Sequence, residues 1–404
     1  MAQIVLINPP SPYLTNDAAY PPMSLLYLAG KIEQLGHEVN VIDLAGGQPF
    51  RYSDINHADL VGFTCTTPNV KIVRDMFRWV AGCDTLVGGA HPTFMPQTFS
   101  SDGVTIVRGE GEHVIKDILN DFRMGGLKSE YTGGFVPVWE VAKPARHLVD
   151  LRRYAPGGWM KSTVIYTSRG CPYSCRFCSK TSGQTYRPFA LHNVLDEVNE
   201  CIGLGFSKIV FGDDNLSIDQ VRLKDLLTLL KPLKIEYRLN QDARGFTPEL
   251  AALAQNSGCI EVSFGIESGS QKMLDAMNKR VTKEQLEDTI RIVKTAGVQT
   301  KAYLVLNFPG ESEETIQETL EFLEKTRPDK VLVSHFAPLP GSYVWNHPHE
   351  FGIDWLSSDW ADYYLIGRDG QAPLVFTTKE LTNAKQQEHR ALFKDGLRGL
   401  GYCV

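Results

Sequence analysis

The chain has 404 residues, of which 43% are hydrophobic and 22% are charged, and this composition is typical of folded proteins rather than disordered or fibrous ones. Its net charge of −6 provides no basic footprint for a phosphate backbone, so nucleic acid is not expected as a partner. No apolar run reaches the ~18–20 residues that span a bilayer, and the first residues do not resemble a secretory leader. We therefore expect a cytoplasmic protein without a membrane span.

The first 125 residues alternate short β-branched segments with amphipathic stretches, which predicts a parallel sheet with helices on both faces. Five strands are expected, at residues 4–7, 39–42, 60–63, 85–87 and 104–107. Helices are expected at residues 25–35 and 70–80, among others. The fold class is therefore α/β, and its first domain is a doubly wound, Rossmann-like sheet. Such sheets bind ligands beyond the carboxyl ends of their strands.

Residues 126–160 are rich in Gly and Pro without a sustained period and are predicted to be a linker. A second alternation, at residues 161–340, predicts a partial (β/α)6 barrel. Its strands are expected at residues 163–167, 208–211, 235–239, 260–264, 299–306 and 330–334. Thr282 and Ser312 are the predicted caps of two of its helices. Residues 341–404 lose the period, gain aromatic residues and are expected to form a small cap on the substrate side.

Three of the eight cysteines lie within eight residues, in the segment SRGCPYSCRFCSK. Cys171, Cys175 and Cys178 follow a predicted strand at spacings of four and three residues. Three thiolates on one loop can hold a four-iron cluster and leave one iron open for a substrate. A zinc site would need a fourth ligand. The nearest candidates, His192 and Cys201, lie on a predicted helix away from the loop.

This CxxxCxxC loop, placed after the first strand of a partial barrel, resembles the radical S-adenosylmethionine (SAM) superfamily, with Phe177 at the family's aromatic position. The resemblance implies a [4Fe–4S] cluster whose open iron is chelated by SAM, and reductive cleavage of SAM to a 5′-deoxyadenosyl radical. It also implies that the segment FGDDN, which contains Asp213, Asp214 and Asn215, recognises the SAM amino group. Alternatively, the two aspartates cap the next helix.

Three further segments resemble barrel elements of this superfamily, namely RLNQDAR, SFGIESGS and VLNFPGES. Polar residues at strand ends suit the ribose hydroxyls and the methionyl carboxylate of SAM. On this basis the expected SAM contacts are Asn240, Arg244, Ser263 and Glu267.

A doubly wound domain before such a barrel resembles the cobalamin-binding radical SAM group. The loops VGGAHPTFMP and VRGEGE also resemble sequences of that group. The resemblance implies cobalamin contacts from Ser11, Tyr13, Thr66, Thr67, Asn69, Gly88, Gly89, His91, Gly109, Glu110, Gly111 and Glu112. The glycines are expected to let the backbone approach the macrocycle closely. The motif Asp-x-His-x-x-Gly is absent, and His91 is expected to form hydrogen bonds rather than to ligate cobalt. Alternatively, the domain has kept its shape and lost its cofactor.

The resemblance implies a methyltransferase that acts on an unactivated carbon. One SAM would methylate cobalamin, and a second would provide the radical that abstracts a hydrogen atom from the substrate. An electron donor such as flavodoxin or ferredoxin and a small-molecule or peptide substrate are implied as partners. The alternatives are a rearranging, cyclising or epimerising radical SAM enzyme and a non-catalytic iron–sulfur redox sensor. Methylthiotransferases are not favoured, because the first domain has only Cys65 and Cys83 where they have three cluster-binding cysteines.

Overall fold

The computed structural model of the protein describes residues 2–155, 161–367 and 372–403. The chain divides into two compact units. One consists of Met1–Val164, Thr181–Gly183 and Asp359–Tyr363, and the other of Ile165–Lys180, Gln184–Ser358 and Tyr364–Val404. Residues 156–160, the end of the predicted linker, lie outside the described residues. Within the described ranges, no helix is both long enough and apolar enough to cross a membrane.

The first sheet has six strands, paired in the order β2-β1-β3-β4-β5-β6, and all its pairings are parallel. The strands are β1 (Gln3–Asn8), β2 (Glu38–Asp43), β3 (Leu60–Thr64), β4 (Asp84–Gly88), β5 (Thr105–Arg108) and β6 (Glu130–Thr132). The predicted α/β class with a leading parallel sheet is confirmed. The predicted count of five strands is wrong, because β6 lies within the range taken as a linker. A three-residue strand is too short to show an alternation in the sequence.

Four helices accompany this sheet: α1 (Met23–Gln34), α2 (Val70–Phe77), α3 (Ala90–Phe94) and α4 (Gly111–Arg123). The apolar side chains of β1 and β3 pack with those of α2 in one buried cluster that includes Ile7, Phe63 and Val73. Burial of such side chains removes apolar surface from water and is the main force that stabilises this unit. The loops that follow β1, β3 and β4 are thereby held at one edge of the sheet.

The second sheet also has six strands, in the order β14-β13-β12-β11-β10-β7, and the pairings from β10 to β14 are parallel. The remaining strands form two antiparallel pairs, β8 with β9 and β15 with β16. The bounds are β7 (Ser162–Ile165), β8 (Ser168–Arg169), β9 (Arg187–Pro188), β10 (Lys208–Phe211), β11 (Glu236–Gln241), β12 (Cys259–Glu267), β13 (Gln299–Leu306), β14 (Lys330–His335), β15 (Ile353–Leu356) and β16 (Phe376–Thr378). The six main strands of the predicted partial barrel are confirmed.

Eight α-helices accompany the strands of this second unit among the described residues. They are α5 (Leu191–Gly203), α6 (Gln220–Leu230), α7 (Pro248–Asn256), α8 (Gln271–Ala276), α9 (Lys283–Thr295), α10 (Glu313–Thr326), α11 (Tyr343–Asn346) and α12 (Asn383–Gly399). Both predicted caps are confirmed, since the hydroxyls of Thr282 and Ser312 accept hydrogen bonds from the N–H groups of Gln285 and Thr315. These caps satisfy backbone donors that a helix cannot satisfy internally.

His91, at the start of α3, is a fully buried residue of the first unit. Its Nδ1 lies 3.3 Å from the Thr67 hydroxyl and its Nε2 lies 3.0 Å from the Thr98 hydroxyl. The ring also packs edge-on against Phe99 and Trp360. Burial, and to a smaller extent the charge of Arg74, lowers the pKa of His91 to about 4. Its ring is therefore neutral at pH 7.

This environment makes the stability of the unit depend on pH. The folded pKa lies below the ordinary value of 6.5, so His91 contributes fully above pH 6.5, and its contribution is lost as the pH falls toward 4. The wild-type protein should lose up to about 3 kcal/mol of unfolding free energy from this residue over that range. We expect His91→Gln, which cannot titrate, to show a shallower slope in urea unfolding at pH 4–7. The exposed His57 provides the control, and equal slopes for His91→Gln and His57→Gln would contradict this expectation.

Candidate functional site

The three-cysteine loop directly follows the short strand β8 in the second unit. Cys171 and Cys175 are half-buried, Cys178 reaches the surface, and none of them forms a disulfide. Burial raises the pKa of the Cys171 and Cys175 thiols. The loop therefore presents three sulfur donors that make no covalent bond with one another.

Hydrogen bonds tie the middle of this loop to distant parts of the chain. The Arg176 N–H donates to the Met277 carbonyl at 2.9 Å, and the Arg176 carbonyl accepts from the Val344 N–H at 3.1 Å. The Asn278 side chain donates to the Ser174 carbonyl at 2.8 Å. A loop without regular structure needs such contacts to keep a single conformation. Its position is therefore set by the turn after α8 and by α11.

A buried ion network lies beside that turn. The Lys279 ammonium is 3.2 Å from a carboxylate oxygen of Asp242 and 3.0 Å from one of Glu267, and all three side chains are at most a tenth exposed. Arg244 binds Asp242 through two nitrogens, at 2.5 and 3.0 Å, and its guanidinium lies 3.5 Å from the centre of the Tyr173 ring. Although burial opposes it, the hydrogen bond from Arg244 and the charge of Lys279 lower the pKa of Asp242.

This network changes the interpretation of two residues that were expected to contact SAM. It also contains two residues that the sequence analysis did not assign to the site. Arg244 and Glu267 are engaged by charged partners of the chain itself, so each holds the site in place. Asp242 lies inside the nominated segment RLNQDAR and could have been suspected as the acidic partner of Arg244. Lys279 gave no signal, because its partners are more than ten residues away in the sequence.

The adjacent residues Asp213 and Asp214 lie in opposite environments. Asp213 is buried and accepts hydrogen bonds from the Thr167 N–H at 3.0 Å and from the hydroxyls of Thr167 and Ser168 at 2.9 and 2.5 Å. Asp214 has an exposed surface and accepts a hydrogen bond from the Gly170 backbone, next to Cys171, although partial burial of its carboxyl group raises its pKa. Asp213 thus fastens the segment that leads into the cysteine loop, while the Asp214 carboxylate remains accessible. Neither residue caps the next helix, whose cap is Asp219.

Several buried polar atoms of this region lack a hydrogen-bond partner among the described residues. They are Asn215 Nδ2, Asn240 Oδ1 and both amide atoms of Gln241. Buried polar groups in folded proteins are nearly always paired, so unpaired ones often await a ligand or water. Asn240 pairs in register with Ser263, whose hydroxyl lies 3.4 Å from Glu261. The polar face formed by Asn240 and Ser263 suits the ribose and amino acid groups of SAM. The remaining expected contact, Phe177, is half-buried in the cysteine loop.

The donor chemistry of the loop fits an iron–sulfur cluster. Iron–sulfur clusters take thiolate ligands, and each thiolate binds a different iron atom. Their sulfurs therefore need not converge on one point. In the part of the chain that the structure describes, no three Cys, His, Asp or Glu side chains converge as the ligands of a single metal ion do.

In the first unit, polar side chains gather beyond β1 and β3. The Tyr13 hydroxyl lies 3.3 Å from that of Ser11 and 3.5 Å from that of Thr66, and the Asn69 amide donates to Ser11 at 3.1 Å. Thr67 instead contacts His91. Hydroxyl and amide groups at this edge of the sheet fit the amide side chains that surround a corrin ring. To ligate cobalt, His91 would have to break its hydrogen bonds with the hydroxyls of Thr67 and Thr98.

Two of the glycines expected to contact the macrocycle, Gly89 and Gly109, also make close backbone contacts within the unit. A Cβ atom on Gly89 would lie 2.9 Å from the Cys65 carbonyl oxygen, and one on Gly109 would lie 2.4 Å from that of Gly133. Both have positive φ angles, of 106° and 76°. These glycines let two backbone segments of the unit approach each other, which is a sufficient reason for their presence without a macrocycle.

The other residues expected to contact cobalamin lie at the end of β4 and around the start of α4. Gly88 ends β4, and a Cβ atom there would make ordinary contacts, as would one on Gly111. Glu110 occupies the N-cap position of α4, but its side chain does not cap the helix and instead accepts a hydrogen bond from the Val136 N–H at 2.6 Å. Glu112 lies in the first turn of α4, where a negative charge interacts favourably with the helix dipole.

The chain is similar to several known proteins over most of its length. It is 27% identical to an uncharacterized methyltransferase of Pyrococcus horikoshii, over 90% of this chain and 86% of that protein. It is 27% identical to bacteriochlorophyllide d C-12(1)-methyltransferase of Chlorobaculum tepidum, over 72% of this chain and 65% of that protein. It is 24% identical to the anaerobic magnesium-protoporphyrin IX monomethyl ester cyclase of Cereibacter sphaeroides, over 95% of this chain and 70% of that protein.

A solved structure has the same fold. It is the radical S-adenosylmethionine methyltransferase TsrM of Kitasatospora setae, with tryptophan substrate and a SAM analogue bound. The two chains superpose with a TM-score of 0.78 over 98% of this chain and 89% of that one, at 18% sequence identity. At that identity the likeness concerns the fold.

Two family models match the chain, one in each half. The model of the B12 binding domain matches residues 15–119, and that of the radical SAM superfamily matches residues 165–323. Together the two ranges cover more than half of the chain. The first kind of domain takes cobalamin as its cofactor, and the second takes a [4Fe–4S] cluster and SAM. The chain therefore belongs to the cobalamin-binding radical SAM family, whose members include methyltransferases.

Proposed function

We propose that this protein transfers a methyl group to an unactivated carbon of its substrate. The observation that carries the proposal is the presence, in one chain, of a B12 binding domain and a radical SAM domain with three free thiols on one loop. Such a carbon offers neither an acidic proton nor a nucleophilic electron pair, so ordinary methyl transfer from SAM cannot reach it. Two of the relatives are methyltransferases by name, and one is named for a carbon position of its substrate.

In this proposal Cys171, Cys175 and Cys178 are the cluster ligands. The support is their position on a single loop, held in place by Met277, Asn278 and Val344. Asp214 binds the SAM amino group, because its carboxylate is accessible and lies close to Cys171. A carboxylate suits an ammonium, which offers only hydrogen-bond donors.

Asn240 and Ser263 bind the ribose or the methionyl group of SAM, and Phe177 lies against it. Asp213, Arg244 and Glu267 do not contact SAM, because their side chains hold other parts of the site in place. Asn215 holds the Asp242 backbone through its Oδ1, and its Nδ2, which is unpaired among the described residues, contacts SAM. Fixed donors and acceptors of this kind need no rearrangement when the ligand arrives, which favours a single orientation.

In the first unit, Ser11, Tyr13, Thr66 and Asn69 contact cobalamin, with Thr67 behind them. Two further loops line the cobalamin site in this proposal. One contains Gly88, Gly89 and His91, and the other contains Gly109, Glu110, Gly111 and Glu112. No side chain of this set is proposed as a lower ligand of cobalt.

When bound, the cofactors supply the methyl group and the radical that abstracts a hydrogen atom. The chain orients the reactants and excludes water from the site. We assign the cobalamin domain to residues 1–125, the barrel to 161–340 and a substrate-side cap to 341–404. The linker of residues 126–160 also contributes β6 to the first sheet. The substrate is a small molecule or a peptide, the electron donor is a small redox protein such as flavodoxin or ferredoxin, and the reaction takes place in the cytoplasm without nucleic acid.

A second candidate function is cyclisation or rearrangement, and the cyclase of Cereibacter sphaeroides among the relatives favours it. The products of SAM separate the two functions. A methyltransferase of this kind uses one SAM as methyl donor and one as radical source, so S-adenosylhomocysteine and 5′-deoxyadenosine should form in a ratio of about one to one during turnover. Formation of 5′-deoxyadenosine alone, measured by liquid chromatography with candidate tetrapyrrole and peptide substrates, would favour the second function.

Replacement of one loop cysteine should remove the cluster. After anaerobic reconstitution with iron, sulfide and hydroxocobalamin, the wild-type protein should contain about four irons and one cobalt per chain. Cys175→Ala should lose the iron, the visible cluster absorbance and SAM cleavage together, while it retains cobalt. Cys403→Ala, at an exposed cysteine far from the loop in the sequence, is the control and should match the wild type. A Cys175→Ala protein with full iron and SAM cleavage would rule out this ligand assignment.

The two adjacent aspartates provide a crossed test of the SAM site. Asp214→Asn should weaken SAM binding about tenfold or more in equilibrium dialysis, with an unchanged thermal midpoint, because an exposed carboxylate is lost. Asp213→Asn should lower the thermal midpoint, because one amide cannot accept all the hydrogen bonds that the buried carboxylate accepts, at about 1–3 kcal/mol. If Asp214→Asn bound SAM like the wild type, the assigned role of Asp214 would be wrong.

A further inference from the structure

Strand β13, which lies next to the edge strand β14 in the second sheet, has two chemically different faces. Thr300, Ala302 and Leu304 are almost completely buried, and this face packs against α9. Lys301 and Tyr303 alternate with them and are only partly buried. Because side chains alternate along a strand, Lys301 and Tyr303 point away from the helices, toward the inside of the partial barrel.

The neighbours of Lys301 in the sheet are also polar. In the parallel register, Lys301 pairs with Ser263 on β12 and with Lys330 on β14. Paired residues of a pleated sheet point to the same side. Lys301 therefore lies on the same face as Ser263, one of the proposed SAM contacts, and beside a second lysine.

Glu261 is the carboxylate that pairs with cations on this face in the part of the chain that the structure describes. Glu261 is buried, and one of its oxygens lies 2.6 Å from the Lys330 ammonium, while the other lies 3.6 Å from the Arg238 guanidinium. Lys301 has no carboxylate within ion-pair distance in the described ranges, and its recorded contact is with the Tyr303 ring, 5.2 Å from the ammonium. Burial and the charges of Arg238 and Lys330 lower the pKa of Lys301, while the charge of Glu261 opposes this shift. Among the described residues, the cations Arg238, Lys301 and Lys330 thus lie on this face of the sheet with the single carboxylate of Glu261 between two of them.

We propose that Lys301 binds an anionic group of the substrate, a carboxylate or a phosphate, inside the barrel. Arg238 and Lys330 add to the positive potential there, while their carboxylate partner Glu261 is already engaged. An arriving anion would restore the balance of charge and give Lys301 a partner in a partly dehydrated place, where such a bond is stronger than in water. This inference rests on the proposed function, because it assigns the substrate to this face of the barrel.

The proposal can be tested with three probes of the same shape, using the full-length reconstituted protein in equilibrium dialysis. The probes are 1-naphthoate, 1-naphthyl phosphate and the uncharged 1-naphthylmethanol. We expect at least one anionic probe to bind about tenfold or more tightly than the alcohol, and the tighter of the two anions identifies the group. Lys301→Met should remove this preference and leave alcohol binding unchanged. Lys301→Arg, which keeps the charge, should retain it.

Two further readings keep the test decisive. SAM binding is measured on the same variants, because the SAM carboxylate is also an anion; loss of SAM affinity in Lys301→Met with intact probe preference would overturn the proposal. So would a wild-type protein that binds all three probes equally. Iron and cobalt content and SAM cleavage, measured in each sample, report on the proposed function separately. If Lys301→Met fails to fold, Lys301→Gln takes its place. The comparison of the three probes on the wild-type protein tests the proposal even if neither variant folds.

Discussion

The buried ammonium of Lys279 lies between the carboxylates of Asp242 and Glu267, and the geometry of the cysteine loop depends on where that ammonium is held. Charges removed from water must be paired, and removal of one member of a buried pair typically costs about 3–5 kcal/mol. With Arg244, the group contains two positive and two negative side chains. Its neutrality explains how four ionised residues can lie together in the barrel.

From this group the constraints extend in two directions. Next to Lys279, Asn278 binds the backbone of Ser174 in the cysteine loop. On the other side, the Asp242 N–H donates to Asn215 at 3.1 Å, and this contact joins the end of β11 to the segment after β10. The thiol loop and the polar ends of neighbouring strands are therefore parts of one connected structure. A connected structure of this kind keeps ligand-binding groups in register when a cofactor enters.

Much of the fold was predictable because it follows from local patterns. The alternation of strands and helices gave the two sheets, and hydroxyl residues before apolar periods, such as Thr282 and Ser312, gave helix starts. β6 was missed because three residues show no period. The three cysteines of the loop were predictable as candidate cluster ligands from their spacing alone.

The details of the site depend on contacts that sequence patterns do not contain. Nothing in FGDDN distinguishes Asp213 from Asp214, because the difference arises from Thr167 and Ser168, some forty-five residues earlier in the chain. Gly89 and Gly109 were interpreted as making room for a ligand, while their conformations serve close backbone packing. Lys279 was overlooked because a lysine in a turn is ordinarily exposed, and only the folded chain shows it to be buried.

The hydrogen bonds of Arg176 also bear on the order of events during synthesis. They join residue 176 to residues 277 and 344, so more than half of the barrel and α11 must be present before the loop reaches its native shape. Contacts of such long sequence separation form late, because the chain between them must first be ordered. The thiols therefore leave the ribosome well before their binding site exists. Until those contacts form, the three cysteines lie on a segment that the rest of the chain does not yet hold in one conformation.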